Sequence, residues 1–173
     1  PYRGADDTID SSATVKELFV KDLIVRENYY YNVIRGIEMA MPSSGQSLPE
    51  NINWRVIAEE NEIELALNGV TGDTDPQAMK FSGGSSPTPY RFKTLIVRGN
   101  AIRPQDNDNT TQANRYGIEF NSCEEATVED NAINLGLKAG GGDNPPDNAV
   151  RHDNSVAKVK VFNNQKSSGE FLP

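Results

Sequence analysis

A β-rich run closed by asparagine recurs five times along this chain, and no other feature limits its folding as much. The units are Leu23-Ile24-Val25-Arg26-Glu27-Asn28, Val56-Ile57-Ala58-Glu59-Glu60-Asn61, Leu95-Ile96-Val97-Arg98-Gly99-Asn100, Ala126-Thr127-Val128-Glu129-Asp130-Asn131 and Val159-Lys160-Val161-Phe162-Asn163-Asn164. Their asparagines are separated by 33, 39, 31 and 33 residues. A second strand type lies between them: Gly36-Ile37-Glu38-Met39, Ala78-Met79-Lys80-Phe81, Gly117-Ile118-Glu119-Phe120 and Ala149-Val150-Arg151-His152. The two types alternate strictly. Variable loops between alternating strands mark a solenoid rather than a helical repeat of fixed length.

Period-2 alternation then assigns faces. In the asparagine units Leu23, Val56, Leu95, Ala126 and Val159 point inward, as do Val25, Ala58, Val97, Val128 and Val161. In the second type Ile37, Met79, Ile118 and Val150 stack inward, followed by Met39, Phe81, Phe120 and His152. Each asparagine is expected at the turn closing its strand, in left-handed geometry, with its amide bonded to the asparagine of the next coil.

An asparagine ladder on a tight turn resembles the pectate-lyase-like right-handed β-helix superfamily over about residues 15–166. The resemblance implies an all-β, single-stranded right-handed parallel β-helix of about five coils. Residues 1–14 would then form an N-terminal cap or extension and 167–173 a C-terminal tail. It also implies a carbohydrate-associated protein, polysaccharide lyase-like or glycan-binding, at an extracellular, cell or virion surface. The alternative is a non-enzymatic structural segment of a phage tailspike or adhesin. The glycoside hydrolases of the superfamily carry paired aspartates and a Gly-His-Gly signature; this sequence has neither. The chain starts at Pro1, so a mature product, a processed form and a piece of a longer solenoid are all alternatives.

Charge excludes one partner class. The formal net charge of the 173 residues is −8, which disfavours nucleic acid, because phosphate binding needs a basic face. No apolar run is long enough to span a membrane. A single cysteine, Cys123, allows no intrachain disulfide and reads as a structural thiol.

The outward columns supply the candidate site. Glu38, Lys80, Glu119 and Arg151 alternate in sign, as do Arg26, Glu59, Arg98 and Glu129 before Phe162. With strands about 4.8 Å apart, each charge should meet opposite neighbours, so both columns read first as ion-pair ladders. By the resemblance, the first column is also where a glycan cleft would lie. Arg151, His152 and Glu119 are then the catalytic candidates, with Lys80 and Trp54 for substrate. His152 otherwise reads as a histidine at the edge of the core. Tyr29, Tyr30 and Tyr31 could stack on sugars, but covering the core end is the simpler role.

The long connections 62–77, 101–116 and 132–148 read as loops. They carry Asp73 and Asp75, Asp106 and Asp108, then Asp143 and Asp147, hard oxygen ligands suited to Ca²⁺, although no cofactor is required. Ile24, Ile57 and Ile96 form an outward apolar stripe, to be covered by residues 15–19, by a loop, or by a second subunit in a homo-oligomer.

Overall fold

A computed structural model describes residues 22–40, 55–66, 76–82, 92–105, 115–121, 123–136, 148–153 and 156–165. Every regular element among them is a β-strand apart from one short turn of 3₁₀ helix at Asn148. In chain order they are β1 (Asp22–Arg26), β2 (Tyr29–Val33), β3 (Arg35–Ala40), β4 (Arg55–Glu59), β5 (Glu62–Leu65), β6 (Gln77–Ser82), β7 (Phe92–Arg98), β8 (Ala101–Pro104), β9 (Tyr116–Phe120), β10 (Cys123–Glu129), β11 (Ala132–Ile133), β12 (Val150–His152) and β13 (Lys158–Phe162).

These strands form three parallel sheets. The first runs β1-β4-β7-β10-β13, the second β2-β5-β8-β11 and the third β3-β6-β9-β12. The chain visits first, second and third sheet in that fixed order, four times over, and ends on the first. Each strand therefore pairs with the strand three elements away.

Register follows the asparagine alignment residue for residue. Leu23, Val56, Leu95, Ala126 and Val159 are successive partners across the first sheet, as are Val25, Ala58, Val97, Val128 and Val161. Slipping one strand by a single residue would turn its apolar set outward, so the columns themselves hold the register. The inward residues meet in one core with Ile37, Met79, Phe81, Ile118 and Phe120 from the third sheet.

The second sheet corrects the reading of 62–77, 101–116 and 132–148 as loops throughout. Each begins with a strand, β5, β8 or β11, that contributes Ile63 and Leu65, Ile102, or Ile133 to the core. Backbone bonds lock these starts together: Glu62 N–H donates to Asn28 O, Ala101 N–H to Asn61 O and Ala132 N–H to Asn100 O, each at 2.9 Å.

The asparagine ladder forms, with one correction. The left-handed residue of each turn is not the asparagine but the residue before it. Glu27, Glu60, Gly99, Asp130 and Asn163 have φ of 56°, 56°, 64°, 55° and 55°. That placement swings each asparagine inward, where Asn61, Asn100, Asn131 and Asn164 are at most 1% exposed. Only Gly99 of the five adopts this conformation without a Cβ penalty.

A row of small residues turns the chain from the second sheet into the third. A Cβ placed on Gly117 would lie 2.3 Å from Ala149 O, and one on Gly36 would lie 2.8 Å from Ala78 O. No backbone atom tolerates such approach, which explains glycine at these two strand starts. Behind β8, Arg115 is buried and donates from Nη1 to Leu135 O at 2.9 Å. The periodicity of the sequence carried no sign of this buried cation.

Candidate functional site

The third sheet holds the first set of candidates. Glu38, Lys80, Glu119 and Arg151 are register partners on β3, β6, β9 and β12, so one outward row does contain them. The expected ion-pair ladder along this row is absent among the described residues. Glu38 pairs instead with Arg35 on its own strand, and Glu119 accepts from Gln77 Nε2 at 2.9 Å. Arg151 lies over the Tyr116 ring, 5.5 Å from its centroid. The side chains reach along their strands and across to other rows, because the residue one pleat away offers a partner too.

His152 is separated from this row. Its register partner is Phe120, and the two rings stack at 5.5 Å with 25° between planes. It follows the inward column, yet it is exposed, because β12 is the last strand of its sheet. Arg151 and His152 thus leave the same strand on opposite sides. Trp54, Asp73, Asp75, Asp106, Asp108, Asp143 and Asp147 lie outside the described residues, as do 1–14, 15–19 and 167–173. Among the described residues no group of three or more His, Cys, Asp or Glu could hold a metal ion.

The first sheet carries the charges that do pair. Glu59 lies between Arg26 and Arg98, at 3.7 and 2.6 Å, and is only 8% exposed. Its carboxylate, hydrogen-bonded to Arg98, raises that guanidinium above the ordinary arginine pKa. A further row escaped the sequence reading: Asp22, Arg55, Thr94, Glu125 and Lys158 are partners across the sheet. In it Arg55 bonds Asp22 at 2.8 Å and Lys158 bonds Glu125 at 2.6 Å. Each of these lysine–glutamate partners shifts the other, Glu125 downward and Lys158 upward, chiefly through their hydrogen bond. Between the two charged rows runs the isoleucine stripe. Ile24 is 54% exposed, whereas Ile57 and Ile96 are half-buried.

The second sheet brings together a cluster that no single sequence window contains. On β2, Tyr29 and Tyr31 stand outward, 55% and 61% exposed, with ring centroids 6.4 Å apart and planes tilted by 43°. Tyr30 points inward, half-buried against the core, and burial raises its phenol pKa. So only the middle tyrosine covers the core, contrary to the expectation for all three.

Alternation along β2 sends Tyr29 and Tyr31 outward around an inward Tyr30, and a bulge follows. Tyr30 pairs with Ile63 and Val33 with Leu65, so Tyr31 and Asn32 together oppose Glu64. Asn32 takes φ 51° to make room, a left-handed conformation that asparagine accepts better than most residues. A bulge of this kind inserts one extra residue, and here that residue is Asn32, after which Val33 returns to the core.

Two charged residues complete the cluster. Arg103 Nη2 donates to Tyr29 Oη at 3.4 Å, and Tyr29 Oη lies 3.5 Å from Glu64 Oε2. Arg103 Nε approaches Glu64 at 3.5 Å. The bond to Tyr29 is the main cause of a raised Arg103 pKa. These side chains come from three neighbouring strands of the second sheet: Tyr29 and Tyr31 from β2, Glu64 from β5 and Arg103 from β8. The result is two exposed aromatic faces beside a fixed acceptor and a fixed donor. Such a surface can stack a ring and hydrogen-bond hydroxyls at its rim.

No protein-family model, curated protein or solved structure matches the chain.

Proposed function

We propose that the chain is a right-handed parallel β-helix of about five coils, of the pectate-lyase-like kind, that binds a glycan on its outer face without cleaving it. The observation that carries this reading is the pair Tyr29 and Tyr31, exposed side by side at a bulge and rimmed by Glu64 and Arg103. Monomeric folds rarely leave two large aromatic rings bare on a regular strand without a use for them.

Catalysis is the weaker option on this surface. An acid–base pair needs two carboxyls held apart in pKa, or a base free to reach a proton. Glu64 and Glu119 are each engaged by a neighbour, and His152 faces away from Arg151. The test is a glycan array probed with the whole chain and with Tyr31→Ala. Retention by the parent and its loss in the variant support the reading; no retention of any glycan overturns it.

The stripe headed by Ile24 favours a second reading, a structural segment of a spike or adhesin whose apolar row is buried against another subunit. Light scattering decides this one. A monomer at high concentration counts against it, and an oligomer dissociated by Ile24→Asp supports it.

A further inference from the structure

We infer that the glycan held beside Tyr29 and Tyr31 is an uncharged one, bound as a single flexible chain, and is neither a polyuronate nor a crystalline polysaccharide face. This rests on the glycan-binding reading above and narrows it.

The charge around the cluster decides against a polyanion. Arg103 is the one cation of the cluster, and it is already shared between Glu64 and Tyr29 Oη. Glu62, exposed, sits directly beside Tyr29 in the register of the sheet. Two carboxylates against one committed guanidinium leave a local negative excess, on a chain whose net charge is already −8. A polyuronate adds a carboxylate at nearly every sugar and would be repelled at each one. A neutral sugar has no such cost. Its hydroxyls both donate and accept, so they can use the N–H groups and lone pairs that the mutual contacts of Tyr29, Glu64 and Arg103 leave over.

The ring geometry decides against a flat surface. A crystalline glycan face needs coplanar aromatic rings, and these two are tilted by 43°. They form a shallow V that one or two pyranose rings can enter. Beyond Tyr29 the same row continues through Glu62 to Ala101 and Ala132, both exposed and small. Among the described residues that leaves an open floor along which a chain can continue beyond Tyr29.

The experiment is affinity electrophoresis of the whole chain in gels containing dextran, galactomannan or polygalacturonate, at low and at high salt. The expected result is retardation by a neutral polymer at a concentration at least tenfold below any effect of polygalacturonate, and unchanged by salt. Tyr31→Ala should weaken it roughly two- to tenfold, the range for one lost ring contact, with the circular dichroism spectrum preserved. Glu62→Gln, which removes one of the two carboxylates, should narrow the gap between the neutral polymer and polygalacturonate; an unchanged gap counts against the charge argument. Equal or tighter binding of polygalacturonate, lost in high salt, overturns the inference and leaves the glycan reading standing. Absence of retardation in all three gels overturns both. Retardation that survives both Tyr29→Ala and Tyr31→Ala places the ligand elsewhere and also overturns the inference.

Discussion

Asn131 Oδ1 accepts twice from Asn100, from the backbone N–H at 3.0 Å and from the side-chain amide at 2.9 Å. The same two-point bond joins Asn28 to Asn61, Asn61 to Asn100 and Asn131 to Asn164. Each buried amide also reaches a carbonyl of the preceding strand in the first sheet, as Asn100 does with Ala58 O at 3.0 Å. Removing a middle rung orphans groups above and below it. Asn100→Ala should therefore cost about 3 kcal/mol or more, since each unsatisfied buried group costs about 1–3 kcal/mol. Asn28, exposed at the end of the ladder, should lose no more than about 1 kcal/mol on the same change. Urea denaturation of the two variants checks the contrast.

The left-handed residues before the ladder predict opposite signs for two glycine changes. Glu60→Gly should stabilise by about 0.5–1 kcal/mol, because a non-glycine residue pays roughly 1–2 kcal/mol for this conformation. Gly99→Ala should destabilise by about 1 kcal/mol through backbone strain alone. The space at Gly99 is not limiting, since an added Cβ would meet Glu60 Cγ at an ordinary 3.7 Å. Thermal melts of both variants would read the difference directly.

Gly117 is limited by space instead. Gly117→Ala would press its Cβ into Ala149 O and should cost about 1–3 kcal/mol, the usual range for overpacking. Ala78 in β6 and Ala149 just before β12 stand at the equivalent position beside it. The row itself thus accepts a methyl group where the next backbone stands further off. A denaturation midpoint unchanged in Gly117→Ala would contradict the close approach.

Cys123 gives a pH test. It is fully buried, donates to Glu125 O at 2.9 Å, and burial pushes its thiol up to about 12 from an ordinary 9.0. A raised folded pKa contributes stability that is complete below pH 9 and is lost as pH rises towards 12. The thiol in the unfolded chain ionises across that window and the folded one does not. The limiting slope is about 1.4 kcal/mol per pH unit. Urea midpoints of the parent should fall more steeply above pH 9 than those of Cys123→Ala. A thiol reagent should label Cys123 only on unfolding.

The paired charges of the first sheet predict a ranking. Glu59 is nearly buried between two arginines, so Glu59→Ala leaves Arg26 and Arg98 facing each other and should lower stability more than Lys158→Ala at the exposed end. The Glu125 carboxyl, held low by Lys158, contributes stability above its unfolded pKa that disappears as pH falls through its folded pKa. Acid titration of Lys158→Ala should therefore show a shallower loss than the parent.

Much of the fold was legible because the asparagine spacing aligned the strands and the period-2 rule sorted their faces. Leu23 to Val159 and Ile37 to Val150 fell into register as those two patterns required. The second sheet was not legible, for a physical reason. Its strands after β2 are two to four residues long and bury one or two apolar side chains each, too few to show a period. Glu62 and Glu64 around Ile63 also look like loop.

The candidate site was harder still. Tyr29, Glu64 and Arg103 are brought together only by the parallel pairing of β2, β5 and β8, over separations of 35 and 74 residues. Tyr31 follows the alternation of β2, but the bulge at Asn32 that ends this alternation is not readable from the sequence. The charged row that sequence did expose, Glu38 to Arg151, found partners along its own strands and in other rows instead of along the column.

The central claim is the location of the ligand, and nuclear magnetic resonance tests it most directly. A neutral oligosaccharide is titrated into chain labelled in its tyrosine rings and arginine side chains. The account predicts that Tyr29, Tyr31 and Arg103 signals move together along one binding curve, while Tyr30, Tyr116 and Arg151 stay fixed. Shifts at Tyr116 and Arg151 with Tyr29 and Tyr31 unmoved would contradict it and return the site to the third sheet.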